Sequence, residues 1–392
     1  MPLARAFPPF RKPRPGLFIG VAVLVAALGS AWVVWRPPSG APGEQPSVVV
    51  RGAPEAALPA PDAGVPPPIV PPRVEPAVPR GDVESNAQAD AGESAEAIHP
   101  PDAAYEPVPT SDDPDLSLAR RAGLHRAPNP LHLTASVALA VDGETGEVLY
   151  GRNEGAILPI ASLTKLLTAM VLLDAHLPMS QRIRIVREDI DTLRHSRSRL
   201  RVGTTLTRAH ALQLALMSSE NRAAHALART YPGGVPAFVA QMNRKAEELG
   251  MDHSRFADPT GLSNDNRATA HDVAALVLAA SNYPEVRRYT TAGRHLAVFP
   301  GYKVQYLNAN RLVRHSGWAI AVQKTGYIVE AGQCMAMLTR TAQGRSLVLV
   351  VLDAGSLSTR AEDARKLRRW AGPEIERRHT AQHAVRLVEK AS

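Results

Sequence analysis

Two short apolar-rich runs, residues 136–141 and 147–152, flank the polar stretch Asp142-Gly143-Glu144-Thr145-Gly146, a pattern that predicts a β-hairpin. A helix is expected over 162–176, where Leu166, Leu167, Met170, Val171 and Leu173 recur at helical spacing. Two more helix patterns cover 208–217 and 221–229, and Gly233-Gly234 ends the second. Pro236 opens a further helix whose Phe238, Met242, Ala246 and Leu249 share one face and whose stop is Gly250. Strand signals return at 318–323, 333–339 and 346–352, the last two joined as a hairpin through Gln343-Gly344, and a helix over 359–370 closes the series. Early strands, a helical middle, late strands and a closing helix predict an α+β architecture in place of alternating βαβ units. No internal repeat is present.

Upstream of residue 120 the pattern fails. Of the 34 prolines in the 392-residue chain, 19 fall within residues 37–119, where Tyr105 is the only aromatic residue. Such a segment cannot bury enough apolar surface to offset the entropy of ordering it, so 37–119 is expected to be a disordered, acidic Pro/Ala-rich linker. Before it, residues 17–35 lack charge, follow four basic residues and end in Trp32 and Trp35, which suits a membrane anchor. Ala27-Leu28-Gly29 and Gly29-Ser30-Ala31 also fit a cleavable signal peptide, but the apolar run continues past them, which favours the anchor. Both readings export everything beyond Arg36. The chain thus divides into a basic N-terminus with anchor or signal peptide (1–36), the linker (37–119), a folded domain (120–376) and a C-terminal tail (377–392).

Charge follows the same division. Residues 37–119 hold 14 acids against three arginines, whereas residues 120–392 hold 37 Lys and Arg against 23 Asp and Glu, within a net +8 for the chain. A basic domain behind an acidic tether suggests an anionic partner surface. The basic residues are dispersed and no nucleic-acid motif is visible, so no nucleic-acid partner is expected. The single cysteine, Cys334, excludes an intramolecular disulfide framework and a Cys-based zinc ribbon, and its apolar surroundings in sequence predict a buried thiol.

Three short motifs change the picture. Ser162-Leu163-Thr164-Lys165 places a hydroxyl at a helix start and an amine three residues on, along the same face. Taken alone, a helix cap and a solvated lysine explain it equally well. Ser219-Glu220-Asn221 lies between two helix patterns, where both polar residues would ordinarily be caps. Lys324-Thr325-Gly326 follows a strand pattern and has the residues an edge-strand binding site needs, although a lysine also protects an edge from aggregation. In this order, the three together form the signature of the penicillin-binding and β-lactamase enzymes.

The stretch from Pro159 to Met170 resembles the low-molecular-weight serine D-Ala-D-Ala peptidases. Leu216 to Ala224, Tyr231-Pro232-Gly233-Gly234, Pro259-Thr260-Gly261-Leu262-Ser263 and Lys324-Thr325-Gly326-Tyr327 most resemble the D-alanyl-D-alanine endopeptidase branch, the penicillin-binding protein 7 type. The resemblance covers about residues 130–370 and implies a β-lactamase/transpeptidase-like fold, an antiparallel sheet flanked by helices with a helical subdomain. It implies Ser162 as nucleophile, Lys165 as its base and Ser219 as a proton carrier. Asn221, Lys324, Thr325 and Gly326 would bind substrate, and the backbone N–H groups of Ser162 and Tyr327 would form an oxyanion hole. The expected substrates are peptidoglycan stem peptides and cross-links, with β-lactam antibiotics as covalent inhibitors and no cofactor. The expected place is the periplasm, either tethered to the inner membrane through residues 17–35 or released after cleavage.

Physical chemistry independently asks for such a set. A serine hydroxyl needs a neutral base in contact with it, and Lys165 can be neutral only if burial and a second cation, expected to be Lys324, lower its pKa. The loop Asp353-Ala354-Gly355-Ser356 has no arginine of the kind some carboxypeptidase relatives use, which favours endopeptidase over carboxypeptidase activity. A β-lactamase would need a further carboxylate acting through water, and no E-x-x-x-N loop lies between Asn221 and Lys324. A non-catalytic wall-binding module would need neither nucleophile nor base. His379 and His383 stand four apart but show no third ligand, so a solvated helix face and no metal are expected.

Overall fold

The computed structural model describes residues 103–315 and 317–391, with side chains through Ala381. The expected anchor or signal segment, linker residues 37–102 and the His383 side chain lie outside that range. In chain order the elements are α1 (Leu118–Arg121), β1 (Val137–Asp142), β2 (Val148–Arg152), β3 (Leu158–Pro159), α2 (Lys165–Asp174), β4 (Arg182–Arg184) and β5 (Thr205–Thr207). Then come α3 (Arg208–Met217), α4 (Asn221–Arg229), α5 (Gly234–Glu248), β6 (Arg267–Ala268), α6 (Ala270–Ala280), α7 (Pro284–Thr291), β7 (Arg294–Phe299) and β8 (Tyr302–Leu307). The last are β9 (Ile320–Ile328), β10 (Gly332–Arg340), β11 (Ser346–Ala354) and α8 (Leu357–Ala391).

The centre is a five-stranded sheet in the order β2-β1-β11-β10-β9, antiparallel throughout. Alternation along the strands feeds two cores. Val137, Leu139, Val141, Val348, Val350 and Leu352 pack with the helical part of the molecule, whereas Ala138, Ala140, Leu347, Leu349 and Val351 pack under α8 with Ala364, Leu367 and Ala371. Because both faces are covered, β1 is buried at all six positions and reads as a continuous apolar run. The α+β architecture is as expected. Of the sheet's two outer strands, β9 is the one that faces the helical part and carries Lys324, Thr325 and Gly326.

Both edges of the expected folded domain move outward. The linker was expected to run to residue 119, yet the Tyr105 N–H donates to Gly155 (3.0 Å), Ile157 N–H donates to Tyr105 (2.9 Å) and Ser117 caps α1. Composition averages over these residues, whereas the isolated parallel bridge of Tyr105 with Ala156 and the cap of α1 tie them down with a few hydrogen bonds. At the other end α8 continues through Pro373 into the expected tail. Pro373 deprives the helix of one N–H donor. Arg378 nevertheless docks the following turn, donating to Glu147 (2.6 Å) and to the carbonyl of Val148 (3.1 Å), and His379 bonds Asp142. His379 is therefore an inward-facing anchor and not a solvated residue. Cys334 is fully buried as expected, and burial pushes its thiol up to about 12.

Candidate active site

Among residues 161–170 only Ser162 escapes full burial. The expected helix over 162–176 begins as a 3₁₀ turn, Ala161–Thr164, entered through Ala161 in a left-handed conformation (φ 48°), before α2 starts at Lys165. Thr164 makes no cap bond to α2, and its hydroxyl instead donates back to the carbonyl of Ala161 (2.8 Å). Two glycines allow other segments to press on this turn. A Cβ at Gly261 (φ +80°) would lie 2.0 Å from the carbonyl oxygen of Ala161, and one at Gly326 would lie 2.8 Å from the backbone nitrogen of Ser162.

Lys165 is 1% exposed. Its Nζ lies 2.8 Å from Ser162 Oγ, 2.7 Å from Asn221 Oδ1 and 2.6 Å from the carbonyl oxygen of Thr260. Two of these neighbours are carbonyls that can only accept. A neutral amine here would give its two N–H bonds to them and turn its lone pair toward the serine hydroxyl. Asp258 holds the Thr260 loop, accepting from the N–H groups of Thr260 (2.6 Å), Gly261 (2.9 Å) and Ser263 (2.8 Å). Thr168 ties the same loop to α2 by donating to Pro259 (2.7 Å).

Ser219 follows α3 in a left-handed conformation (φ 61°), and its Oγ accepts from Lys324 Nζ at 2.9 Å. The N-cap of α4 is Glu220 and makes no side-chain cap, so neither Ser219 nor Asn221 serves as the helix cap that a bland reading would make it. The strand pattern over 318–323 extends to Ile328 in β9, where Lys324 pairs with Ala336, Thr325 with Met335, Gly326 with Cys334 and Tyr327 with Gln333. Lys324 and Gly326 share the face toward Ser219 and Ser162, Thr325 is 5% exposed, and Tyr327 opens to solvent at 57%. The structure thus brings together two hydrogen-bonded sets, Ser162–Lys165–Asn221 and Ser219–Lys324, close enough that the two lysines repel each other, with Gly326 packed against Ser162.

Burial lowers Lys165 to about 8, opposed by the carboxylates of Asp258, Glu220 and Asp191. Lys324 is held well below its ordinary value by burial, then by the Lys165 and Arg360 cations. Burial is thus the first force on Lys165, as expected, and the repulsion between the two lysines disfavours charge on both at once. Glu220 is raised by burial, with Ser198 and Arg222 working against the shift. The Thr260 carbonyl, Asp191 and Ser196 were not anticipated as part of this site. Backbone acceptors have no residue signature, and polar loop residues acquire meaning only once folding shows their partners.

A family model described as D-alanyl-D-alanine carboxypeptidase matches residues 124–356. The chain belongs to that peptidase S11 family. It is 46% identical over 253 residues to a D-alanyl-D-alanine endopeptidase of Pseudomonas aeruginosa, covering 64% of this chain and 80% of the relative. Against the Escherichia coli D-alanyl-D-alanine endopeptidase it is 40% identical over 256 residues, 65% and 82% of the two chains. Among solved structures, a variant of the Streptomyces K15 DD-transpeptidase aligns with a TM-score of 0.56 and 25% identity over 62% of this chain and 98% of the other. Penicillin-binding protein D2 of Listeria monocytogenes, in its ampicillin-bound form, aligns at 0.55 and 28% over 62% and 99%. The fold is therefore the transpeptidase type of this family, with the sheet edge and the helical part meeting at Ser162.

Proposed function

We propose that the protein is a serine DD-endopeptidase that hydrolyses D-alanyl cross-links in peptidoglycan through an acyl-enzyme on Ser162. The observation that carries the reading is the contact of a half-exposed serine with a fully buried lysine whose other two partners are acceptors only. Ser162 Oγ attacks the D-alanyl carbonyl while Lys165 takes its proton. Negative charge gathers on the carbonyl oxygen, where the N–H groups of Ser162 and Tyr327 receive it; such fixed donors are typically worth about 3 kcal/mol of barrier. Ser219, bonded to Lys324, relays the proton taken up by Lys165 to the departing amine as the C–N bond breaks, which leaves Lys165 neutral again to take a proton from the attacking water. Water then attacks the ester and regenerates Ser162. Lys324, Thr325 and Asn221, with Gly326 allowing close approach, hold the carboxylate end of the substrate as it lies along the open edge of β9.

The endopeptidase preference is supported by the names of the 46% and 40% identical relatives and by the missing arginine in residues 353–356. In the cell, residues 17–35 would tether the enzyme to the inner membrane or be cleaved, and residues 37–102 would let the domain reach the wall from there. Incubation of the purified protein with labelled penicillin tests the chemistry. The wild type should be labelled covalently and Ser162→Ala should not; equal labelling of the two contradicts the mechanism.

A further inference from the structure

Asn221 faces Lys165 through its oxygen, and an amide can present either end. Something must set that choice. The Asn221 Nδ2 donates to Ser196 Oγ at 2.9 Å. Ser196 belongs to a loop wound around Asp191, which is 8% exposed. The Asp191 carboxylate accepts from the N–H groups of Leu193 and Arg194 at one oxygen and of Ser196 at the other, all at 2.9 Å. His195, in a left-handed conformation (φ 52°), turns the chain so that Ser196 comes back to the carboxylate. Burial alone would raise Asp191, but hydrogen bonds from the Ser196 side chain and from these backbone groups outweigh it and keep the carboxyl below its ordinary value.

We propose that Asp191, acting through Ser196 and Asn221, is a positioning residue for the Lys165 base. The argument rests on polarity. Asp191 holds Ser196 by its backbone N–H, and the Ser196 hydroxyl oxygen so placed offers a lone pair to Asn221 Nδ2. With its nitrogen engaged there, Asn221 can offer only Oδ1 to Lys165. Each link places the next. The loop is held independently of this chain: Arg194 donates to the carbonyl of Leu262 (2.5 Å) and pairs with Glu330 (2.9 Å), and Ser198 donates to Glu220 (2.5 Å). Lys165 therefore has one acceptor supplied by a loop caged on Asp258 and another supplied through a loop caged on Asp191.

The inference deepens the proposed function and depends on Lys165 acting as the base. The charged groups facing Lys165 are the carboxylates of Asp191, Asp258 and Glu220 and the Lys324 amine. Removing the Asp191 charge takes away one of three carboxylates that favour the ammonium, so Lys165 titrates at lower pH.

The test is the rate of penicillin acylation as a function of pH for wild type, Ser162→Ala, Ser196→Ala, Ser196→Thr and Asp191→Asn, each checked by thermal unfolding. Ser196→Ala should acylate on the order of 10- to 100-fold more slowly, a cost typical of a misplaced catalytic group, and Ser196→Thr, which keeps the hydroxyl, should recover most of that loss. Asp191→Asn should be slowed and should also move the alkaline rise of the rate to lower pH. Wild-type rates in Ser196→Ala and Asp191→Asn overturn the inference. So do losses that Ser196→Thr fails to recover with the pH rise unmoved, because a purely structural role would produce them. Failure of the wild type to acylate, or acylation of Ser162→Ala at the same rate, overturns the underlying mechanism instead and this inference with it.

Discussion

A lysine that takes a proton from serine must be neutral when the substrate arrives, and the cost of that state depends on where burial has set its pKa. At about 8, roughly a tenth of Lys165 is neutral at pH 7, far more than for an exposed lysine. The sign follows directly: acylation should rise as pH increases through about 8 and level off above it, because the ammonium is the inactive form. Lys165→Arg, which keeps the positive charge but cannot lose its proton, should acylate at least about 100-fold more slowly at every pH. Stopped-flow acylation with a chromogenic β-lactam reads both effects. Ser162, Lys165, Ser219, Asn221 and Lys324 were legible in the sequence because the three motifs occur in order. Asp191 and Ser196 were not, since five residues of separation in a polar loop suggest no partner until Asn221 is brought to it.

Elements were legible where one face is apolar and the other polar. α4 stands close to its expected bounds for that reason, whereas β1, buried on both faces, was legible as a continuous apolar run that stops at a turn signal. The hairpin of β7 and β8 escaped notice because Leu296 and Val298 point to solvent while Ala297 and Phe299 point inward, which erases the alternation. α6 is apolar on nearly every side and so lacks a helical period. Lys324, Thr325 and Gly326 were legible as an edge-strand binding site through their motif and not through apolar alternation, and β9 runs through them. At the junction of elements, the two glycines make distinguishable predictions. Gly261→Ala adds left-handed strain, about 1–2 kcal/mol, to a clash with the Ala161 carbonyl, and should lower both thermal stability and penicillin labelling. Gly326→Ala would crowd the backbone nitrogen of Ser162 (2.8 Å), the Ala161 Cβ (2.9 Å) and the Ile160 carbonyl oxygen (3.1 Å) without left-handed strain, and should lose labelling with a smaller drop in melting temperature.

On the scale of the whole chain, the basic character of residues 120–392 bears on the proposed action on an anionic polymer. The net excess of 14 positive charges in residues 120–392 should draw the domain to stem-peptide carboxylates, so activity on intact sacculi should decline as salt is raised. Activity on small soluble muropeptides should be much less affected. A cross-link and a terminal D-Ala-D-Ala present the same carboxylate to Lys324 and Thr325, so the choice between them depends on what the groove accepts beyond it. Side-by-side digestion of purified cross-linked muropeptide dimers and pentapeptide monomers, with products separated by chromatography, measures that choice. The account predicts that the wild type cuts dimers to monomers faster than it trims pentapeptides and that Ser162→Ala does neither; trimmed pentapeptides beside persisting dimers would contradict it and make the enzyme a DD-carboxypeptidase.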